Sequence, residues 1–352
     1  MLEKTVDYII VGLGLAGIAF AEELKKAHKS FVVFEDVSQT SSLVAGGMYN
    51  PVILKRFTPV WNAKEQLDVA IPFYKTLENK LSASFDQVLS IYRTFKSVEE
   101  QNNWFIACDK PALQEFMHPE IVAVKSDSII APFKAGRLKH TGRIKVKELV
   151  NAYRDDLKQS GSLIEETFRH DSIITWETHI DYKNIRADKI VFCEGNGVKK
   201  NRFFNKLPLN GTKGELLTIY APDLKLIDVV KSAIFILPLG EDHYKVGATF
   251  NWSDKTNTPT IEGRKELEEK LKTVINCKYE VIGHEAGVRP TTGDRRPMLG
   301  SHKDNSRLAI FNGLGTRGVM IAPLMAQKLY QFLENGIPLD KEVDIRRFKQ
   351  KG

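Results

Sequence analysis

Residues 12–17, GLGLAG, have the glycine spacing of a turn that binds the phosphates of a dinucleotide. In such a turn Gly12 permits a tight bend, Gly14 lets the backbone approach a pyrophosphate, and Gly17 lets the following helix pack closely on the strand. The N-terminus of that helix offers free N–H groups and the positive end of its dipole to the phosphates. The chemistry indicated is the binding of a dinucleotide cofactor.

The turn is flanked by the elements that such a site needs. The apolar run YIIV, residues 8–11, is typical of a parallel strand buried on both faces. A second apolar strand ends at Glu35, where a carboxylate would bind ribose hydroxyls and disfavour the 2′-phosphate of NADP. The first run could alternatively be the core of a secretory signal, but Asp7 interrupts its start and an amphipathic helix follows Gly17. The sequence therefore favours a nucleotide site.

A second glycine turn, GLGTRG at residues 313–318, follows an apolar strand and precedes a long helix that ends at Gly336. No strand ending in an acid follows it, so it is not an independent dinucleotide unit. Its helix N-terminus would stabilise negative charge at the far end of a bound cofactor. Because reduced flavin accumulates such charge on its pyrimidine ring, FAD fits better than NAD. Close helix packing is the alternative explanation for these glycines.

Arg289 is the candidate for binding a substrate. It precedes Pro290 in the segment GHEAGVRPTTGDRRPMLG, residues 283–300. Its planar guanidinium with five donors suits a carboxylate, and a structural ion pair is the alternative role. Asp294 is close enough in sequence to organise the turn.

Composition and charge exclude few functions. The 352 residues are 42% hydrophobic and 27% charged, which is typical of a soluble globular protein and long enough for two domains. The net charge of +7 suits an anionic cofactor or substrate as well as nucleic acid. The three cysteines have no CxxC spacing and the eight histidines no metal spacing, so we expect no metal site and a cytoplasmic protein. No stretch has the apolar length of a membrane span.

Strand and helix patterns alternate at both ends of the chain. The middle contains hairpins, such as residues 233–250, in which AIFILPL and HYKVGATF flank the turn GED. We therefore expect an α/β fold with a Rossmann-type FAD-binding domain and an inserted antiparallel-sheet substrate domain. The FAD-binding domain is predicted at 1–80, 141–215 and 283–352, and the substrate domain at 81–140 and 216–282.

Several ordered blocks of the sequence resemble the D-amino-acid oxidase family of flavoproteins, which includes glycine oxidase and sarcosine oxidase. They are GLGLAG with Glu35, AGGMYNP, TGRIKVKELVNAY, IVFCEGNG, GVRPTTGDRRPMLG and GLGTRGVMIAP, and they span about Val6 to Ala326. The resemblance implies an extended FAD with its flavin at the domain junction. It also implies oxidation of an amine or amino acid that bears a carboxylate, by hydride transfer from the carbon next to nitrogen to flavin N5. With no cysteine near residues 289–318, we expect non-covalent FAD.

The resemblance also implies the site residues. Arg289 would bind the substrate carboxylate, and Tyr244 and Asn50 are the other catalytic candidates. Phe235 stands where several amino-acid oxidases have a carboxylate-binding tyrosine, and Tyr244 is the candidate replacement. The expected cofactor-binding residues are Gly12, Gly14, Leu15, Ala16, Gly17, Glu35, Asp36, Ser42, Ala45, Gly46, Gly47, Met48, Phe168, Cys193, Gly195, Gly313, Gly315, Thr316, Arg317, Gly318 and Val319.

Two alternative functions stay open from the sequence. GLGTRGVMIAPLMAQKL and the ending RRFKQK are similar to an oxidase domain that removes a carboxymethyl group from wobble uridine in tRNA. RNA phosphate could then contact two basic stretches, one with Lys199, Lys200 and Arg202 and one with Arg346, Arg347 and Lys349. A dehydrogenase that passes electrons to a partner is the other alternative. The substrate, the electron acceptor and the oligomeric state are left open.

Overall fold

A computed structural model describes residues 4–348, and the elements below belong to that range. The helices are α1 (Leu15–Lys26), α2 (Ser41–Val44), α3 (Ala63–Leu81), α4 (Val98–Cys108), α5 (Pro111–Gln114), α6 (Val146–Gln159), α7 (Ile261–Lys272) and α8 (Gly318–Asn335). Short 3₁₀ turns lie at His170–Ser172, Gly195–Lys200 and Ile345–Arg347.

The strands follow the same chain order. They are β1 (Lys4–Val11), β2 (Phe31–Phe34), β3 (Met48–Tyr49), β4 (Val52–Ile53), β5 (Thr58–Pro59), β6 (Asp86–Val88), β7 (Ile91–Thr94), β8 (Met117–Val122), β9 (Ala135–Leu138), β10 (Gly142–Ile144), β11 (Leu163–Ile164), β12 (Ile173–Thr175), β13 (Ile180–Tyr182), β14 (Ile185–Phe192), β15 (Leu209–Tyr220), β16 (Val229–Lys231), β17 (Phe235–Gly240), β18 (His243–Gly247), β19 (Glu280–Thr292), β20 (Met298–His302) and β21 (Asn305–Asn312).

The first large sheet has the strand order β11-β2-β1-β14-β13-β12, with β21 also paired to β14 and β20 to β21. Strand β1 is parallel to both β2 and β14, and β14 is parallel to β21. These pairings are parallel, and the apolar runs in the four strands suit burial on both faces. Their carboxyl ends therefore meet at one edge of the sheet.

Helices α1 and α8 pack on each other beside this sheet. Phe20 and Leu24 of α1 and Met325 and Leu329 of α8 are buried in the shared core. Each such side chain contributes roughly 1.5–3 kcal/mol by its removal from water. This packing fixes the starts of both helices against the sheet edge.

The second large sheet has the order β19-β15-β18-β17-β16-β7-β9-β8 and is antiparallel except where β16 meets β7. One face carries Leu217 and Ile219, which share a core with Leu267 and Leu271 of α7. The other face meets the segment around α2, where a Cβ on Gly287 would lie 3.2 Å from Ser41. A small sheet, β3-β10-β6, pairs residues 48–49 and 86–88 with residues 142–144.

The expected α/β fold, with a parallel sheet and a separate antiparallel one, is confirmed. The second sheet is larger than predicted, since β15 begins at Leu209 and β19 continues to Thr292. Residues 209–215 and 283–292, assigned from the sequence to the FAD-binding domain, therefore lie in the antiparallel sheet. No helix among residues 4–348 is long and apolar enough to cross a membrane.

Candidate functional site

The carboxyl ends of β1, β2, β14 and β21 form one edge, and four of the predicted cofactor-binding residues follow these strands. Gly12 follows β1, Glu35 follows β2, Cys193 follows β14 and Gly313 follows β21. The Cys193 N–H donates to the Val11 carbonyl at 2.7 Å, which joins the ends of two of these strands. Ligands of open α/β sheets bind at this kind of edge.

The first glycine turn has the close contacts that its spacing predicts. Gly12 has φ +100°, and a Cβ there would lie 2.6 Å from the Cys193 carbonyl oxygen. A Cβ on Gly17 would lie 2.1 Å from the Gly12 carbonyl oxygen. No side chain caps the N-terminus of α1 at Gly14, so its first N–H groups are available to an anion. A Cβ on Gly14 would also lie 3.1 Å from the Ser42 hydroxyl, which places α2 beside the turn.

The Glu35 carboxylate lies directly against the first glycine turn. Its Oε2 accepts the Leu13 N–H at 2.5 Å, and its Oε1 accepts the Val37 N–H at 2.6 Å. A carboxylate has further lone pairs, so it can accept ribose hydroxyls at the same time. Asp36 accepts the Ser38 N–H at 3.0 Å and shapes the following turn.

The second glycine turn is next to the first. Gly313 and Gly315 have φ +74° and +58°, and Asn312 holds the turn by accepting the Gly313 N–H and donating to the Gly195 carbonyl. A Cβ on Gly318 would lie 3.1 Å from Leu15 Cδ1, so α8 and α1 begin side by side. No side chain caps the N-terminus of α8. Two uncapped helix N-termini therefore lie at the same edge of the first large sheet.

Residues 45–48 lie against strands β10 and β17. Gly47 has φ +69°, and a Cβ there would lie 1.9 Å from the Ile144 carbonyl oxygen. A Cβ on Gly46 would be 3.6 Å from Leu237 and from the Phe235 ring. Phe235, singled out from the sequence, thus faces the predicted cofactor segment.

Arg289 lies on β19, on the sheet face that meets this segment. Its Nη1 donates to the Thr249 carbonyl at 3.3 Å, and its guanidinium stacks 4.6 Å from the centre of the Phe250 ring. A Cβ on Gly214 would be 1.9 Å from Arg289 Nη2, so the glycine provides the space for this side chain. No carboxylate of the described residues pairs with it. Burial lowers the pKa of Arg289 to about 10.

Several predicted residues have other surroundings. Tyr244 is buried in the α7-side core and its hydroxyl accepts the Leu226 N–H at 3.2 Å, so we leave it out of the proposed site. Asn50 accepts the Val52 N–H at 2.9 Å through its side chain, which is an ordinary turn role. The Phe168 ring stacks on Tyr182 at 4.1 Å within the core. Catalytic or cofactor contacts of Asn50 and Phe168 remain predictions.

The sequence alone did not point to the neutral neighbours of Arg289, namely Gly214, Thr249 and Phe250. It also missed Lys245, whose Nζ is 3.0 Å from Glu285 Oε2 and donates to the Val44 carbonyl at 3.4 Å. The register of β15 with β19 and β18 brings these residues together, and this pairing joins segments that are far apart in the sequence.

The donor set of the edge fits a dinucleotide cofactor. The two uncapped helix N-termini provide N–H donors, and Gly195 and Gly315 leave open space where a Cβ would lie. No group of three or more His, Cys, Asp or Glu residues within residues 4–348 has the arrangement of a metal site.

Comparisons with known proteins identify a family and several similar proteins. The family model described as FAD dependent oxidoreductase matches residues 7–331. Glycine oxidase of Bacillus subtilis (strain 168) is 29% identical over 359 residues, covering 95% of this chain and 94% of that protein. The bifunctional protein of tRNA 5-methylaminomethyl-2-thiouridine biosynthesis from Marinobacter nauticus is 23% identical, covering 92% of this chain and 55% of that protein. The solved L-proline dehydrogenase from P.horikoshii has the same fold, with a TM-score of 0.80, 15% identity and 99% coverage of both chains.

Proposed function

The chain belongs to the family of FAD dependent oxidoreductases, as the resemblance implied, and from this premise we propose that it oxidises an amine or amino acid that bears a carboxylate. The observation that carries the proposal is Arg289, a partly buried guanidinium without an acidic partner on the sheet face that meets residues 41–48. Similarity to glycine oxidase over nearly the whole chain supports the same substrate class.

The chain's own groups would hold FAD along the strand edge. The uncapped N-terminus of α1 and the Ser42 hydroxyl would bind the pyrophosphate, and Glu35 would bind the ribose. Residues 45–48 and 313–319 would contact the ring. FAD, when bound, supplies the acceptor for a hydride from the carbon next to nitrogen.

Arg289 would orient the substrate. Its guanidinium would bind the carboxylate through two parallel hydrogen bonds and so fix the adjacent carbon and amine. Because its present neighbours are a carbonyl and an aromatic ring, an incoming carboxylate competes with no other anion. The reaction would then depend mainly on the positioning of the substrate.

Anaerobic bleaching of the FAD absorbance tests this function directly. Glycine, sarcosine and D-alanine are mixed with the FAD-loaded protein, and at least one carboxylated amine should bleach it. Arg289→Gln should lower kcat/KM by on the order of 100-fold and Arg289→Lys by less, because lysine keeps the charge but loses the planar fork. Arg264→Gln, which removes an exposed arginine on α7, is the control. Unchanged kinetics in Arg289→Gln would refute the assignment.

Non-covalent FAD is also part of the proposal. The described cysteines are Cys108, Cys193 and Cys277, and burial raises the pKa of the Cys193 thiol well above its ordinary value. Acid precipitation should leave the yellow colour in the supernatant. Colour that stays with the precipitate would show a covalent link.

Oxidation of a carboxymethylated tRNA is the second candidate, favoured by similarity to the tRNA-modifying protein. The predicted RNA contacts are mostly engaged within the protein: Arg202 pairs with Asp171, Arg346 with Asp344 and Arg347 with Asp294. Lys199 donates to a backbone carbonyl, and Lys349 lies outside the described residues. Filter binding of modified and unmodified tRNA at increasing KCl decides this candidate, because phosphate contacts would weaken steeply with salt.

The electron acceptor distinguishes the third candidate function, a dehydrogenase, from an oxidase. Rapid oxygen consumption with substrate would indicate an oxidase. Turnover that proceeds with a dye acceptor while oxygen reacts slowly would indicate a dehydrogenase that reduces a partner.

A further inference from the structure

Phe250 is the most exposed aromatic residue within residues 4–348, although it contacts the arginine of the proposed carboxylate site. It is 61% exposed, and the next most exposed aromatic residue, Trp252 at 57%, lies two positions further along the same segment. Single exposed apolar residues are common, whereas neighbouring ones at a proposed site indicate surface that a ligand covers. Phe250 is therefore a candidate for contact with the substrate.

The Phe250 ring touches the group that would hold the substrate carboxylate. The Arg289 guanidinium lies over the ring, 4.6 Å from its centre, and donates through Nη1 to the carbonyl of Thr249, the residue before Phe250. A carboxylate bound by this guanidinium would be about 2.7–2.9 Å from its nitrogen atoms. It would therefore lie next to the ring, and so would the first atoms joined to it.

The backbone on both sides of Phe250 is hydrogen-bonded to β15. The Thr249 N–H donates to the Glu215 carbonyl at 3.3 Å, and the Thr249 hydroxyl accepts the Glu215 N–H at 2.9 Å. Asn251 exchanges two backbone hydrogen bonds of 2.9 Å with Lys213. The same strand pairs with β19, which carries the arginine. Ring and guanidinium are thus fixed by one strand, and a ligand that binds both pays little to order them.

Stabilisation of the Arg289 cation does not account for the exposure of Phe250. A cation–π contact at an exposed site is weak, and the ring would gain more from burial against the protein. Arg289 covers only part of the ring, and the remainder is open to solvent. The part of a substrate that extends from the carboxylate towards solvent would meet this open surface.

We propose that Phe250 determines specificity by stacking on a planar ring that the substrate nitrogen carries, while Arg289 binds the carboxylate. The inference rests on the proposed function, because it takes the carboxylate at Arg289 as given. The preferred class is an N-carboxymethyl amine whose other substituent is an aromatic ring joined through one carbon. Glycine and sarcosine leave the Phe250 ring uncovered and would be poorer substrates.

The test uses thioether ligands, which lack the amine that is oxidised, on the FAD-loaded protein. (Methylthio)acetate provides the carboxylate alone, and (benzylthio)acetate adds a planar ring. (Cyclohexylmethylthio)acetate adds a ring of similar size that is not planar. Dissociation constants are taken from the change in FAD absorbance. The benzyl ligand should bind about tenfold tighter than the methyl ligand, and tighter than the cyclohexyl ligand, because offset stacking adds to the burial of apolar area.

Four variants locate the effect. Phe250→Leu keeps an apolar side chain without a ring, so the preference for benzyl over methyl should fall to about twofold. Its affinity for the methyl ligand should stay within about fivefold of wild type, as expected from loss of an exposed cation–π contact. Phe250→Tyr keeps the ring and should keep the preference. Arg289→Gln should weaken all three ligands. Phe105→Leu makes the same change at an exposed phenylalanine on α4 and should leave the preference unchanged.

Three results would overturn the proposal: equal binding of the benzyl and methyl ligands, a cyclohexyl ligand that binds as tightly as the benzyl one, or Phe250→Leu weakening the methyl and benzyl ligands by the same factor. The last result would mean that the ring acts only through Arg289. Failure of the proposed function is recognised separately. It appears as a protein that binds no FAD, as FAD that no carboxylated amine bleaches, or as unchanged affinity for (methylthio)acetate in Arg289→Gln.

Discussion

Arg289 has only neutral neighbours, and this determines its protonation and its ability to bind an anion. The Thr249 carbonyl and the Phe250 ring stabilise the cation weakly, while burial lowers its pKa to about 10. The side chain therefore remains protonated near neutral pH. An anion that binds it gains a charged partner without displacing a carboxylate of the protein.

Carboxylate affinity should consequently depend on pH in the alkaline range. The carboxylate stays ionised throughout, so the only loss is the proton of Arg289, which is bound below about pH 10 and released above it. The dissociation constant of (methylthio)acetate should be constant from neutral pH upward and then rise about tenfold per pH unit beyond that value. Titrations of the FAD-loaded protein measure it, with Arg289→Gln as the pH-independent control. Full affinity retained at strongly alkaline pH would contradict the prediction.

Gly214 controls the position of the same guanidinium. In Gly214→Ala the new Cβ would meet Arg289 Nη2 at 1.9 Å, so the flexible end of the arginine must move. We expect KM for a carboxylated amine to rise about tenfold, the loss of roughly one charged hydrogen bond, with kcat and FAD affinity little changed. Steady-state kinetics and FAD titration check both parts. An unaltered KM would show that substrate does not use the guanidinium where the structure places it.

At the scale of elements, the start of α1 depends on contact between two glycines. Gly17→Ala would place a Cβ 2.1 Å from the Gly12 carbonyl oxygen, which is backbone and cannot turn aside. The turn and the helix start must separate, and FAD affinity should fall on the order of tenfold to 100-fold. Equilibrium binding of FAD to the apoprotein measures this. Gly293→Ala, at a glycine with open space beside it, is the control and should bind normally.

The segment that follows β18 is fastened by a fully buried lysine. The Lys213 ammonium donates to Asp254 and to the Thr258 carbonyl, and its backbone bonds to Asn251 in both directions. Phe250, which stacks on Arg289, directly precedes this anchored segment. The anchor therefore holds a neighbour of the proposed substrate site.

Removal of the Asp254 charge should destabilise the protein in a pH-dependent way. Hydrogen bonding from Lys213 lowers the pKa of Asp254 to about 2 from 3.8. A lowered carboxyl pKa gives stabilisation that is complete above the unfolded value and is lost as pH falls towards the folded one. Asp254→Asn should cost roughly 1.5–3 kcal/mol at neutral pH in urea unfolding, with a smaller difference below about pH 4. Asp171→Asn, at an exposed carboxylate, should have little effect, and an equal effect would contradict the prediction.

At the scale of the whole molecule, the sequence predicted best what local spacing determines. The two glycine turns and the position of Glu35 after a strand follow from motifs with short-range rules. The extent of the second sheet did not, because β15 and β19 are long, partly polar strands whose pairing joins residues far apart in the chain. For the same reason the sequence suggested Tyr244 for the site, whereas strand register turns that residue towards α7.

FAD should stabilise the whole molecule, because its proposed site is built from both large sheets. Gly46 lies beside Phe235 of the second sheet and Ser42 lies beside the first glycine turn, so a ligand that contacts both segments would favour the native state of both sheets. A ligand that binds only the folded protein adds about 2.7 kcal/mol at 100 times its dissociation constant. The unfolding midpoint of the apoprotein should therefore rise with the logarithm of FAD concentration in one cooperative transition. ADP, which lacks the flavin, should give a smaller rise, and Gly17→Ala should reduce the response to both. Two transitions, of which only one responds to FAD, would show that the cofactor contacts one sheet alone.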